Sequence, residues 1–224
     1  MCAFLAGKGG AGVISPVDAA KYGRDIAGPR LVAAMSKLPN RFKHVHLIGH
    51  SAGSWTINSA AKLICEKLTP ATLHLTYLDA YVPSGWDPGD IADIEAWSSK
   101  TICYAEHYYT RDITLRTTEL DLPNTLNVDI TAIDPWFKEH EFPYRWYCAS
   151  ITGGFDRFDE KKSKVVASHE GTEYGFARSM EAGPENWRKS LTLKKGDQAV
   201  KIRPGKAPFG LDFLRPRRKE PQKH

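Results

Sequence analysis

The residues best suited to chemistry are Gly49-His50-Ser51-Ala52-Gly53. A serine hydroxyl attacks a carbonyl only when a base takes its proton and the side chain projects where substrate can reach it. Glycines two positions either side of Ser51 answer the second need. They let a strand turn into a helix so sharply that the serine stands on an exposed corner, with the Ala52 N–H aimed at a developing oxyanion. The residues around the motif fit this turn: Val45-His46-Leu47-Ile48 is a short apolar run, and Trp55 to Leu68 reads as a helix ended by Thr69-Pro70.

Such a serine needs a histidine and an acid, and in this arrangement they follow it in the order Ser, Asp, His. Of eight histidines, His44, His46 and His74 lie in or beside core strands, His107 lies in a strand-like run, and His224 ends the chain. His50 is read as an oxyanion-side or packing residue whose ring points away from the serine's partner. His140 and His169 follow the last expected core strand. His140 is the preferred base, because its loop, Phe137 to Pro143, returns to the aromatic cluster Tyr144, Trp146 and Tyr147. For the acid, Asp79 ends the run Leu73 to Leu78, at the strand edge where open α/β sheets gather functional groups. Asp112, after the run Ile102 to Tyr109, is the alternative acid; Asp129 reads as a strand-end hydrogen-bonding residue.

The elements that must position these residues alternate strand and helix, as a mostly parallel sheet covered on both faces requires. Ser15-Pro16-Val17-Asp18 predicts a helix start, and apolar positions run from Ala19 to Leu38 with a kink or short break at Gly28-Pro29. Strands are expected at Val45 to Ile48, Leu73 to Leu78, Ile102 to Tyr109 and Asn127 to Thr131. Trp187 and Leu191 hint at a further short helix.

The segment His44 to Ser54 resembles the nucleophile segment of the lipase family within the α/β-hydrolase superfamily. Tyr77-Leu78-Asp79-Ala80 is similar to that family's Leu-Asp-Pro-Ala-like run, without the proline, and His140 through Tyr147 to Ser150-Ile151 resembles its histidine segment. The similarity covers roughly residues 17 to 155. It implies a three-layer α/β-hydrolase fold and a nucleophile elbow with a Ser51-His140-Asp79 catalytic triad. The activity it implies is that of a serine hydrolase acting on carboxylic esters, as lipases and esterases do, through an acyl-enzyme. No metal or organic cofactor is implied. Thioesterase or amidase chemistry on the same triad, and a non-catalytic binding protein on a degraded scaffold, are the alternatives.

In that family further strands precede the nucleophile strand, and one of their loops gives the second oxyanion donor. Here 44 residues precede Val45, read as loop and helix, so the N-terminal strands are expected to be missing. Truncation is the favoured explanation; a minimal enzyme using the Gly7 to Gly12 loop, or an inactive relative, are the others. Gly7 to Gly12 is not a phosphate-binding loop, since no Gly-Lys-Ser/Thr closes it.

Composition restricts the remaining choices. With 224 residues, 42% hydrophobic residues and a formal charge of +5, the chain reads as one hydrolase-like domain over residues 1–193 and a basic tail over 194–224. The tail holds ten Lys or Arg against three acids, a net +7, leaving 5 − 7 = −2 for the body. A specific nucleic-acid partner is therefore not expected, while the tail could make weak contact with an anionic surface. The expected partner is a small ester or lipid substrate. The opening residues are too short for a signal peptide, which implies a cytoplasmic protein, or a secreted one if an upstream segment has been lost. The four cysteines are spaced too widely for a zinc knuckle or a CxxC motif. Cys103 with Cys148 is the expected pair if any is bridged.

Overall fold

A computed structural model describes residues 2–5, 15–39, 42–93, 97, 100–111, 120–123, 125–131, 140–152, 155–156, 163–167, 190–192 and 200–204. Six strands form one sheet in the order β1 (Cys2–Leu5), β2 (His44–His50), β3 (Thr72–Leu78), β4 (Ile102–Tyr109), β5 (Leu126–Asp129) and β8 (Ser190–Thr192). Every neighbouring pair is parallel. The protein is therefore a mixed α/β fold on a parallel sheet. A second, antiparallel sheet joins β6 (Phe155–Asp156), β7 (Ser163–Ala167) and β9 (Val200–Pro204). β9 lies within the segment read as tail, and residues 205–224 lie outside the described residues.

Strand alternation sends side chains to opposite faces. Val45, Leu47, Leu73, Leu75, Cys103 and Ala105 point to one face, where they share a core with Trp55, Ile57, Ala60 and Ile64 of α3 (Gly53–Lys67). Tyr108 points to the other face and meets Trp146 and Tyr147 of α4 (Phe142–Thr152), ring centroids 5.2 and 5.7 Å away. The sheet is thus covered on both sides.

Two earlier helices lie against α3. Ser15 caps α1 (Pro16–Tyr22) by accepting from the Asp18 N–H at 3.1 Å, as its sequence position implies. A π turn over Gly23–Ala27 then leads into α2 (Gly28–Met35). The break expected at Gly28-Pro29 takes this form: Pro29 has no N–H for the carbonyl four residues back, and the wider π turn relieves its ring. A Cβ on Gly28 would lie 2.8 Å from both Ser59 Cβ and Thr56 O, so only glycine allows this close approach to α3.

Two expectations are corrected. The chain before β2 is not all loop and helix, because Cys2–Leu5 pairs with His46 to Gly49 as a parallel strand. Four apolar residues running into glycines carry no strand periodicity, and only the open edge of β2 makes them a strand. Leu191 belongs to β8, paired with Val128, and not to a helix. Three residues are too few for either periodicity to register. Trp187 lies outside the described residues.

The turn at the end of β2 depends on Gly49. A Cβ there would lie 2.8 Å from Gly53 O and 3.1 Å from Ile57 Cδ1. Gly49→Ala should therefore destabilise the fold by roughly 1–3 kcal/mol, the usual cost of overpacking a tight contact. Urea unfolding would show this as a lower midpoint at unchanged slope; an unmoved midpoint would mean that the turn has room to spare.

Candidate active site

β2, β3 and β4 run parallel, so their carboxyl ends lie side by side, and Ser51 and Asp79 directly follow the ends of β2 and β3. Ser51 comes one residue after β2 with φ of 54°, in the left-handed region that a non-glycine residue rarely enters. Its N–H donates to Leu78 O at 2.9 Å, and its own carbonyl accepts from Ser54 N at 3.0 Å and Tyr81 N at 3.3 Å. Strain of this kind costs on the order of 1–3 kcal/mol and persists where the surroundings over-determine it. Ala52 is already helical (φ −59°, ψ −22°), so its N–H sits at the positive end of α3.

Asp79 follows β3 directly and is also left-handed, with φ of 49°. Its side chain is wholly buried. Its Oδ1 accepts from Thr110 N at 3.0 Å, its Oδ2 makes a short hydrogen bond with His140 Nδ1, and its N–H donates to Tyr108 O at 2.8 Å. The structure thus brings together Asp79 and His140, 61 residues apart. His140 is 22% exposed, so its ring joins a buried carboxylate to an accessible surface. The carboxylate fixes the tautomer with the proton on Nδ1, leaving Nε2 as the free base. Among the described residues no hydrogen bond joins Ser51 Oγ to His140; such bonds often tighten only when substrate is bound.

Asp112, the alternative acid, lies outside the described residues, as do His169 and Gly7 to Gly12. The Gly7 to Gly12 run follows the carboxyl end of β1, the strand beside β2. Asp129 holds Arg111 at 2.8 Å and accepts from Thr131 N at 2.9 Å, the strand-end role expected of it.

Sequence reasoning missed two neighbours of the candidate site. His50 does not point away from the base: its Nε2 lies 3.0 Å from His140 O, and its ring packs 4.7 Å from His140 and 4.8 Å from Tyr144. Burial, with the nearby His140 charge, pushes its pKa down to about 4, so it is neutral at neutral pH and donates to that carbonyl. His107 is fully buried in β4, where its Nδ1–H donates to Asn127 Oδ1 at 3.2 Å and its Nε2 accepts from Ala80 N at 3.1 Å. It thus fixes the backbone just after Asp79. Burial lowers its pKa to about 4. The signal was a polar residue at an inward strand position, which usually marks a committed hydrogen bond.

His46, His74 and Glu106 lie on the face of the sheet opposite α3, with ligand atoms within 4.8 Å of one another. They do not form a preformed metal centre. Their atoms converge on the Thr76 hydroxyl, which accepts from His46 Nε2 at 2.8 Å and donates to Glu106 Oε1 at 2.7 Å. The two imidazoles are stacked at 3.9 Å and 7°, and an ion cannot lie in both of two parallel ring planes. The group is a buried hydrogen-bonded network, in which burial pushes His46 down to about 2.

Compared with protein-family models, curated proteins and solved structures, the chain matches none.

Proposed function

We propose that this chain is a serine hydrolase of α/β-hydrolase architecture that cleaves carboxylic esters. The supporting observation is the His140 Nδ1 bond to buried Asp79, formed beside a serine held at positive φ where strand turns into helix. In this reading Ser51 Oγ attacks the ester carbonyl and passes its proton to His140 Nε2. Asp79 stabilises the imidazolium that forms. The Ala52 N–H donates a hydrogen bond to the oxyanion, helped by the dipole of α3. Collapse of the tetrahedral intermediate moves the proton from His140 to the departing alkoxide and leaves an acyl group on Ser51. Water, deprotonated by His140, then releases the acid.

A fluorophosphonate probe tests the assignment. The folded protein should take one label at Ser51 and none in Ser51→Ala. Label that persists in that variant would place the nucleophile elsewhere, and a well-folded protein that takes none would be a binding protein on a hydrolase scaffold. A panel of short and long acyl esters, thioesters and amides then identifies the bond cleaved, since the fold alone does not set substrate.

A further inference from the structure

The thiols of Cys65 and Cys103 lie 3.4 Å apart, sulfur to sulfur, across 38 residues of sequence. Cys65 belongs to the last turn of α3, and Cys103 is the second residue of β4, in register with Leu73 of β3. Both are buried in the core that α3 makes with the sheet, at 8% and 4% exposure. Packing on every side fixes the two backbones, so the sulfurs face each other by construction of the fold. Bond formation needs the sulfurs to close by 3.4 − 2.05, or about 1.35 Å.

The pairing expected from sequence, Cys103 with Cys148, is excluded by the topology. Cys103 points to the α3 face. Cys148 is on α4, which packs against Tyr108 on the opposite face. The sheet itself stands between them.

We propose that Cys65 and Cys103 form a disulfide under oxidising conditions, tying the last turn of α3 to β4. The reaction loses both S–H bonds and forms one S–S bond; the two electrons and two protons pass to a small-molecule disulfide, which becomes two thiols. The thiolate is the attacking species. The Cys103 contact and burial hold the Cys65 thiol well above its ordinary range, so the folded reduced protein resists oxidation and the bridge forms during folding. The bridge stiffens the frame of the candidate site. The start of α3 follows the Ser51 corner, and Asp79 is held by Tyr108 O at the far end of β4 and by Thr110 N just beyond it.

The test is refolding of the reduced, full-length chain in a glutathione redox buffer, followed by alkylation, digestion and mass spectrometry without reductant. The expected product is a Cys65 peptide joined to a Cys103 peptide, with Cys148 alkylated. Closing a loop of this size should raise the thermal midpoint by about 10 °C over dithiothreitol-treated protein. That gap should survive in Cys148→Ser and disappear in Cys65→Ser. Alkylation of both Cys65 and Cys103, or a Cys103–Cys148 peptide, would overturn the proposal. Should Cys65→Ser fail to fold, the peptide map of the unaltered chain decides.

Discussion

Asp79→Asn should lower ester turnover by about 10⁴-fold and leave the fold intact. The size follows from what the carboxylate does in such a triad, where the isosteric amide traps the wrong histidine tautomer. Here both oxygens are committed, Oδ1 to Thr110 N and Oδ2 to His140 Nδ1. An amide can satisfy Thr110 N only with its oxygen, which turns its NH₂ toward His140. His140 Nδ1 must then accept, so its proton moves to Nε2, and no lone pair is left to take the proton of Ser51. The measurement is kcat/KM on a chromogenic ester, with circular dichroism as the fold control. A loss under tenfold would remove Asp79 from the mechanism and direct attention to Asp112. Ser51→Ala, His140→Ala and their double variant should show nearly equal losses, since the members of the proposed triad would act as a unit.

The folded protein should lose stability steeply as pH falls from 7 to 5. His46, His50 and His107 are held neutral in the fold, with pKa values pushed down to about 2, about 4 and about 4 from 6.5. The unfolded chain takes up protons near pH 6.5 that the folded protein refuses. Stability is thus fully present above 6.5, falls with pH below it, and stops falling for each group only beneath its folded value. For His107 alone the window of about 2.5 units corresponds to roughly 3 kcal/mol by pH 4, a large share of the ~5–15 kcal/mol typical of a folded domain. Protonation also turns Nε2 into a donor facing the Ala80 N–H, so the backbone beside Asp79 loosens first. Urea midpoints measured between pH 7.5 and 5 test this fall. His107→Gln should make the slope shallower by about one proton. A midpoint constant across that range would mean that these rings titrate normally.

The strands beside the site were legible because their signals are local. Ile102 to Tyr109 reads from sequence with the bounds it has in the structure. The expected core of β2 widens only by a polar residue at its start and by Gly49 and His50 at its end. Short elements were not legible: Cys2–Leu5 and Ser190–Thr192 are strands because β2 and β5 offer open edges. His50 was misread for a similar reason. Its contact with His140 is made by a chain segment that returns after 90 residues, and no pattern near His50 announces that return.

The Ser51 corner is written into its own few residues, because chirality, flanking glycines and the change from strand to helix act over that short range. The sequence also narrowed the partners to strand-end acids and later histidines. Only the tertiary structure joined Asp79 to His140, turned His50 and His107 toward the same region, and set Cys103 against Cys65 instead of Cys148. Those pairings depend on strand order, on register and on which face each helix covers. All three are fixed by the packing of the whole sheet at once, and no stretch of sequence carries them alone.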